Sequence, residues 1–258
     1  MARIENEKGA DRPLISVVTI TYNAARTLPV TMESVASQTF GNYEHLIIDG
    51  ASKDDTLEVA SRLRTPATRI VSEPDKGLYD AMNKGLHLSR GEYVLFLNAG
   101  DAFADSETLR DFAEETGPDV DIIYGDTLIV DADRRVISPR HLSVPEELTF
   151  KSFSEGMLIC HQAFMVRRDI APDYDLQYRF SADYDWTVKC IKATSPERCR
   201  NLHRNVIHYL SDGLTDNNKV ASLKERYKIM CRHYGTATAT MRHIGFLPRA
   251  IKRKFTGK

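Results

Sequence analysis

The stretch Gly91-Glu92-Tyr93-Val94-Leu95-Phe96-Leu97-Asn98-Ala99-Gly100-Asp101 decides how the chain reads. Tyr93 to Leu97 is an uninterrupted apolar run between a glycine and a polar turn, the pattern of a strand buried on both faces. Such a strand delivers Asn98 and Asp101 to its carboxyl end, and in open α/β sheets ligands sit in the crevice beyond those ends. An amide and a carboxylate at that place suit a hard cation or a polar ligand. The same residues also make an ordinary turn, so the flanking sequence has to decide.

Upstream, Leu14 to Ile20 is a β-branched run that predicts a first buried strand ending in Thr21-Tyr22-Asn23. Leu28, Met32, Val35 and Ala36 then recur at helical spacing, before the turn-type residues Gln38 to Asn42. Tyr43 to Ile48 predicts a second strand, followed by Asp49-Gly50-Ala51-Ser52 and a helix carrying Leu57, Ala60 and Leu63 that Asp54 or Asp55 can cap. Arg69 to Ser72 predicts a short third strand. Glu73-Pro74-Asp75-Lys76-Gly77 predicts a loop before a short helix with Ala81, Met82 and Leu86. Strands alternating with helices argue for an α/β, Rossmann-like, mostly parallel sheet flanked by helices. The glycine-rich dinucleotide fingerprint and the phosphate loop with its Lys-Ser/Thr are both absent, which disfavours an ordinary dehydrogenase or P-loop enzyme. A bound diphosphate would have to be neutralised by a cation and basic side chains.

From Asp119 the pattern changes. Val120 to Tyr124 and Thr127 to Val130 read as strands around Gly125-Asp126, with Asp131-Ala132-Asp133 as the turn to a strand near Val136. Met157 to Val166 is mainly apolar and holds His161 and Gln162. Phe180 to Trp186 leads into a helix, Thr187 to Ile191, with acids in its first turn. Asn205 to Leu210 reads as a strand, Ser211 to Asn218 as a polar loop and Lys219 to Tyr234 as a helix.

The 258 residues are ample for one large α/β domain with a helical extension. With 28% charged residues and a formal net charge of −1, the composition does not suggest a nucleic-acid partner. Cys160, Cys190, Cys199 and Cys231 show no zinc or redox spacing, so reduced thiols are the default. Met1 to Pro13 is charged rather than apolar, and no segment has the apolar length of a membrane span; the expectation is a cytoplasmic protein. Met241 to Lys258 carries Arg242, Arg249, Lys252, Arg253, Lys254 and Lys258 with no acid, interleaved with Ile244, Phe246, Leu247, Ile251 and Phe255. That composition suits either a solvated tail or an interfacial segment on an anionic membrane, where each basic residue contributes on the order of 1 kcal/mol.

Taken together, Val17 to Asn23, Asp49 to Ser52, Glu73 to Gly77, Tyr79 to Gly85 and Leu97 to Asp101 resemble the family 2 inverting glycosyltransferases of the GT-A fold. Within that family the likeness is to bacterial surface-polysaccharide enzymes of the colanic acid fucosyltransferase type. It continues through His161-Gln162 and Ala182-Asp183-Tyr184, spanning residues 14 to 215 or so. The resemblance implies transfer of a hexosyl or deoxyhexosyl unit, with inversion, from a UDP- or GDP-sugar to a glycan or lipid-linked acceptor. Mn²⁺ or Mg²⁺ would assist. It divides a domain over residues 1–218 into a nucleotide-binding half, about 14–118, and an acceptor half, about 119–218, followed by a basic helical extension over 219–258. A lipid-linked acceptor would suit peripheral contact of residues 241–258 with the inner face of the plasma membrane.

The resemblance also distributes roles. Thr21, Tyr22, Asn23, Asp49 and Asp80 fall in the nucleotide-sugar site, with Asp49 as the contact to the base and Lys76 as a phosphate candidate or a solvated lysine. Where the family usually has Asp-x-Asp this chain has Asn98-Ala99-Gly100-Asp101, which leaves Asp101 as the charged metal ligand and Asn98 as a neutral helper. Asp183 matches the general base. A free Asp has a pKa of about 3.9, so it would accept the acceptor's proton late in the attack. Asp185, two residues on in a helix, faces another direction. His161 either orients a substrate or sits in the core, and Trp186 is either core or a stacking surface for an acceptor ring. Two other classes compete. A sugar nucleotidyltransferase would show a glycine-rich loop after the first strand, which Thr21-Tyr22-Asn23-Ala24-Ala25 is not. A nucleotide-sugar-binding protein without transfer activity is suggested by Asn98 and Gly100 standing where carboxylates are usual. Nothing in the sequence sets the oligomeric state.

Overall fold

The structure is a computed structural model that describes residues 12–211 and 219–244. The expectations for residues 1–11, for most of the polar loop (212–218) and for the basic tail (245–258) lie outside the described residues.

The first half forms as its periodicity predicts. β1 (Ile15–Thr21), β2 (Tyr43–Asp49), β3 (Thr68–Ser72) and β4 (Tyr93–Phe96) are parallel, in the order β3-β2-β1-β4. Helices α1 (Leu28–Ala36), α2 (Thr56–Leu63) and α3 (Leu78–Leu88) make the crossovers. Successive residues of β2 serve opposite faces, as a period of two requires. Ile47 joins Leu28 and Met32 of α1 and Val59 and Ala60 of α2 in one apolar layer. Leu46 and Ile48 join the larger core, which includes Ala81, Met82 and Leu86 of α3. Burial on both faces is why these strands read as continuous apolar runs. At the start of α2 it is Asp54 whose carboxylate accepts the Thr56 N–H, at 3.1 Å.

After β4 the sheet is mixed. β5 (Ala102–Phe103) and α4 (Thr108–Glu114) follow, then β6 (Ile122–Val130), β7 (Val136–Pro139), β8 (Phe164–Arg167), α5 (Ala182–Lys192), β9 (Cys199–Leu210) and α6 (Lys219–Tyr234). The order continues β4-β8-β6-β9-β5, with β7 paired to β6. β8 is antiparallel to both β4 and β6, while β6 and β9 run parallel. The two strands expected around Gly125-Asp126 are one strand, β6, whose register against β9 shifts between Tyr124 and Thr127. Gly125 permits this: a Cβ there would lie 2.8 Å from Val206 Cγ1 and 3.0 Å from Arg204 O. The sheet is therefore continuous across the two halves.

The extension is welded to the head of α5. Glu225 accepts the N–H groups of Arg179 and Phe180 at 2.9 and 2.8 Å, and Ser222 bonds Ser181. Asp185, fully buried, pairs with Lys189 at 2.6 Å and with His233 of α6 at 2.7 Å. A further helical stretch covers 236–244. No described helix is long and apolar enough to cross a membrane.

Candidate functional site

Parallel register brings Thr21, Asp49 and Ser72 side by side at the ends of β1, β2 and β3. The Asp49 carboxylate is fully buried and accepts four hydrogen bonds, from Thr21 Oγ1 (3.1 Å), Ser52 Oγ (2.5 Å), Ser52 N–H (3.0 Å) and Ser72 Oγ (2.7 Å). Burial would raise its pKa, but the hydroxyls of Ser52 and Ser72, the Ser52 N–H and Thr21 outweigh that and hold it below the usual range. About four acceptor positions is all a carboxylate has, so none is left for a base edge. The expected direct contact thus becomes a strut beneath the site.

Above that strut lie groups with free surface. Tyr22 is 62% exposed. Asn23 adopts φ +50° and accepts the Lys53 N–H at 2.8 Å, which ties the β1 turn to the loop after β2. A Cβ on Gly50 would collide with Asp75 Oδ2 and lie 3.3 Å from Tyr22 Cδ2, so Asp75 and Tyr22 converge over Gly50. Asp75 lies within the Glu73–Gly77 motif, and nothing else in the sequence singles it out. Its other oxygen accepts the Gly77 N–H, at 2.8 Å. Asp80 accepts the Lys76 N–H at 2.9 Å, bracing the entry to α3, and the Lys76 side chain is exposed.

At the end of β4, Asp101 is 5% exposed. Oδ2 accepts from Gln162 Nε2 and Oδ1 from the Leu210 N–H, both at 2.9 Å. Burial pushes its pKa up to about 7, with the Leu210 N–H, Gln162 and the charge of Arg134 opposing. Asn98 Oδ1 is sealed from solvent without a hydrogen-bond partner among the described residues. An orphaned amide oxygen on the same turn as a carboxylate that keeps a lone pair on each oxygen fits a hard cation completed by phosphate oxygens. No group of three or more His, Cys, Asp or Glu gathers among the described residues, so the protein alone offers an incomplete cage.

Gln162 and His161 share one 3-10 turn, His161–Ala163, and link this end to the other carboxylate. The His161 ring lies among Phe96, Tyr174 and Trp186, and Nε2 meets Tyr174 OH at 2.5 Å. Burial lowers its pKa to about 4 against the pull of Asp183, so the ring is neutral at pH 7. Asp183, on the first turn of α5 and partly exposed, accepts from Tyr79 OH at 3.2 Å. Tyr79 comes from α3, and Asn83 of the same helix clasps Tyr174 through its backbone at 2.7 and 3.1 Å. Trp186 is fully buried, stacked on Tyr174 at 4.9 Å and bonded to Pro172 O, which makes it a core residue with no face for a sugar. Asp185 is turned away into its pairs with Lys189 and His233. The structure therefore gathers Tyr22, Asn23 and Asp75 at one end and Asn98, Asp101, Gln162 and His161 at the end of β4. Asp183 stands beyond the 3-10 turn.

A Rossmann-like parallel half continued by a mixed second half, with acid-bearing turns at the carboxyl ends of the parallel strands, is the GT-A fold. Residues 16–174 match the family described as Glycosyl transferase family 2, and the chain belongs to that family. A PGL/p-HBAD biosynthesis glycosyltransferase of Mycobacterium bovis is 35% identical over 187 residues, covering 69% of this chain and 70% of that protein. Among solved structures, Staphylococcus aureus TarS (residues 1–349) superposes with a TM-score of 0.66 at 19% identity, covering 90% of this chain and 72% of that one. Glucosyl-3-phosphoglycerate synthase from Mycobacterium tuberculosis, solved with Mn²⁺, UDP and glucosyl-3-phosphoglycerate, gives a TM-score of 0.60 at 16% identity over 86% of this chain and 80% of that one.

Proposed function

We propose that the chain transfers a hexosyl or deoxyhexosyl unit, with inversion, from a UDP- or GDP-sugar to a hydroxyl of a glycan or lipid-linked acceptor, in surface polysaccharide or glycolipid assembly in the cytoplasm. The observation that carries this is the pairing, across one 3-10 turn, of a buried carboxylate on the same turn as an orphaned amide oxygen with a second, partly exposed carboxylate. Relatives support the donor class: TarS was solved with UDP-GlcNAc, and the mycobacterial synthase with UDP-glucose and Mn²⁺. Tyr22 and Asp75 offer a ring and a carboxylate edge to the base, over the floor that Asp49 holds rigid. Asp101 and Asn98 would hold Mn²⁺ or Mg²⁺, which supplies positive charge to the departing diphosphate. Asp183 receives the acceptor's proton as its oxygen attacks the anomeric carbon, and Tyr79 fixes that carboxylate. Neutral His161 and Tyr174 close the apolar wall behind it.

Asp101→Ala removes the charged ligand. Calorimetry with UDP and GDP should then show no gain in affinity on adding Mn²⁺, whereas wild type gains. If the variant and wild type respond to Mn²⁺ alike, the metal assignment is wrong.

The basic, apolar composition of 241–258 supports peripheral attachment to anionic membranes. Of that stretch residues 241–244 are described: Met241 and Ile244 are largely exposed, and Arg242 pairs with Glu155 at 3.2 Å. Full-length protein should sediment with anionic liposomes at low salt and a chain ending at Thr240 should not. Equal pelleting of the two removes the idea.

A further inference from the structure

The β6–β7 hairpin breaks a local rule. Arg134 N–H bonds Asp131 O at 3.0 Å, Asp131 N–H bonds Arg135 O at 3.0 Å, and Arg135 N–H bonds Asp131 Oδ1 at 2.8 Å. A turn closed this way ends on a residue with positive φ, the place that glycine or asparagine normally takes. Here it is an arginine, at φ +66°. A long side chain in that conformation is strained, and such strain persists where other contacts over-determine it, often at functional positions.

The contacts that hold it lie at the far end of the side chain. Nη1 donates to Gly100 O at 2.8 Å, inside the turn that follows β4. Nη2 is sealed from solvent and has no hydrogen-bond partner among the described residues. Asn98 Oδ1, on the same turn, is in the same condition. A charged donor and a neutral acceptor, both orphaned, thus attend one four-residue turn. The carboxylate that acts on Arg134, that of Asp101, is already bonded to Gln162 and Leu210. Buried groups without partners are costly and few in native proteins, so a ligand that satisfies both is expected. It must bring anionic oxygens to Nη2 and a cation or donor to Asn98 Oδ1. A cation-bearing diphosphate brings both.

We infer that Arg134 binds the β-phosphate of the donor through its guanidinium, which turns on binding so that Nη2, closed to solvent in the unliganded protein, faces the diphosphate and delivers from the β6–β7 hairpin a positive charge that the Asn98–Asp101 turn lacks. The inference rests on the nucleotide-sugar reading above and assigns one more group to that site. As the acceptor oxygen bonds to the anomeric carbon, its proton passes to Asp183 and the bond from that carbon to the β-phosphate oxygen breaks. The electron pair stays on the diphosphate, where a guanidinium N–H stabilises it.

The test is calorimetry of UDP, UMP, GDP and GMP with wild type, Arg134→Gln, Arg134→Lys and Arg134→Gly, with and without Mn²⁺, alongside melting curves. Arg134→Gly relieves the positive φ and should melt no lower than wild type, which separates folding from binding. Arg134→Gln and Arg134→Gly should bind the diphosphate of the preferred base about 10–100-fold more weakly while the monophosphate changes little, and Arg134→Lys should fall between. An unchanged diphosphate affinity overturns the assignment and leaves the donor site standing. Equal loss for mono- and diphosphate also overturns it, making Arg134 a prop for the turn. A wild type that binds no nucleoside diphosphate defeats the donor-site reading, and this inference with it.

Discussion

Asp185→Ala should lower the stability of the protein by about 3–5 kcal/mol, the cost of breaking a buried ion pair from one side. Asp185 has no exposure, and its carboxylate is shared between Lys189, one turn on, and His233 of α6. Burial works against the charge, but His233 and Lys189 hold its pKa below the ordinary carboxylate range. Removing it leaves an ammonium and an imidazole facing an apolar interface. For a chain of this size the melting temperature should fall by roughly 6–15 °C. Well below the transition, turnover per folded molecule should stay near wild type, because Asp185 is buried in its pairs with Lys189 and His233. Thermal melts and an activity assay at low temperature check both halves. A variant that melts like wild type yet has lost turnover would move the catalytic role to this residue.

The sequence was most informative where burial on both faces forces a continuous apolar run. β1, β2, β3 and β4 and the three crossover helices followed from that and from helical spacing. Legibility failed where pairing alone makes the element. β5 is two residues long and exists because Ala102 and Phe103 pair with His208 and Ile207 of β9. The first half of β9, Cys199 to His203, is polar and partly exposed and contains His203 at φ +52°, so nothing local advertises a strand. The short α4 has only Leu109 and Phe112 to signal it. At the site, the positions of Asp101 and Asp183 were readable as motif residues, but their partners were not. That Asp49 is saturated depends on the register that aligns Thr21 and Ser72 with it, and the approach of Arg134 to Gly100 spans 34 residues of sequence. A single signal was available for Arg134: Asp131-Ala132-Asp133-Arg134 is a hairpin turn with no glycine where one is wanted.

Asp183→Asn should slow turnover by about 10²–10⁴-fold with little change in donor affinity. The substitution keeps the shape of the side chain and an oxygen for Tyr79 OH, which now lies 3.2 Å from Oδ1, but it cannot take a proton. Its neighbours supply no substitute. Burial keeps His161 neutral, but its Nε2 is engaged by Tyr174, and burial with the charge of Asp183 drives the Tyr79 hydroxyl well above its ordinary pKa. The acceptor oxygen would then have to attack with its proton still in place. In the proposed site the donor would draw on Tyr22, Asp75 and the Asn98–Asp101 turn, on the other side of the 3-10 turn His161–Ala163, so calorimetry with the nucleoside diphosphate should read as wild type. Folding should also be preserved, since the head of α5 is fixed by Glu225, Ser222 and Asp185 rather than by Asp183. Steady-state turnover, donor affinity and melting temperature measured on one preparation separate these effects. Near wild-type turnover rejects Asp183 as the base. A matching loss of donor affinity would instead make its carboxylate part of the donor site.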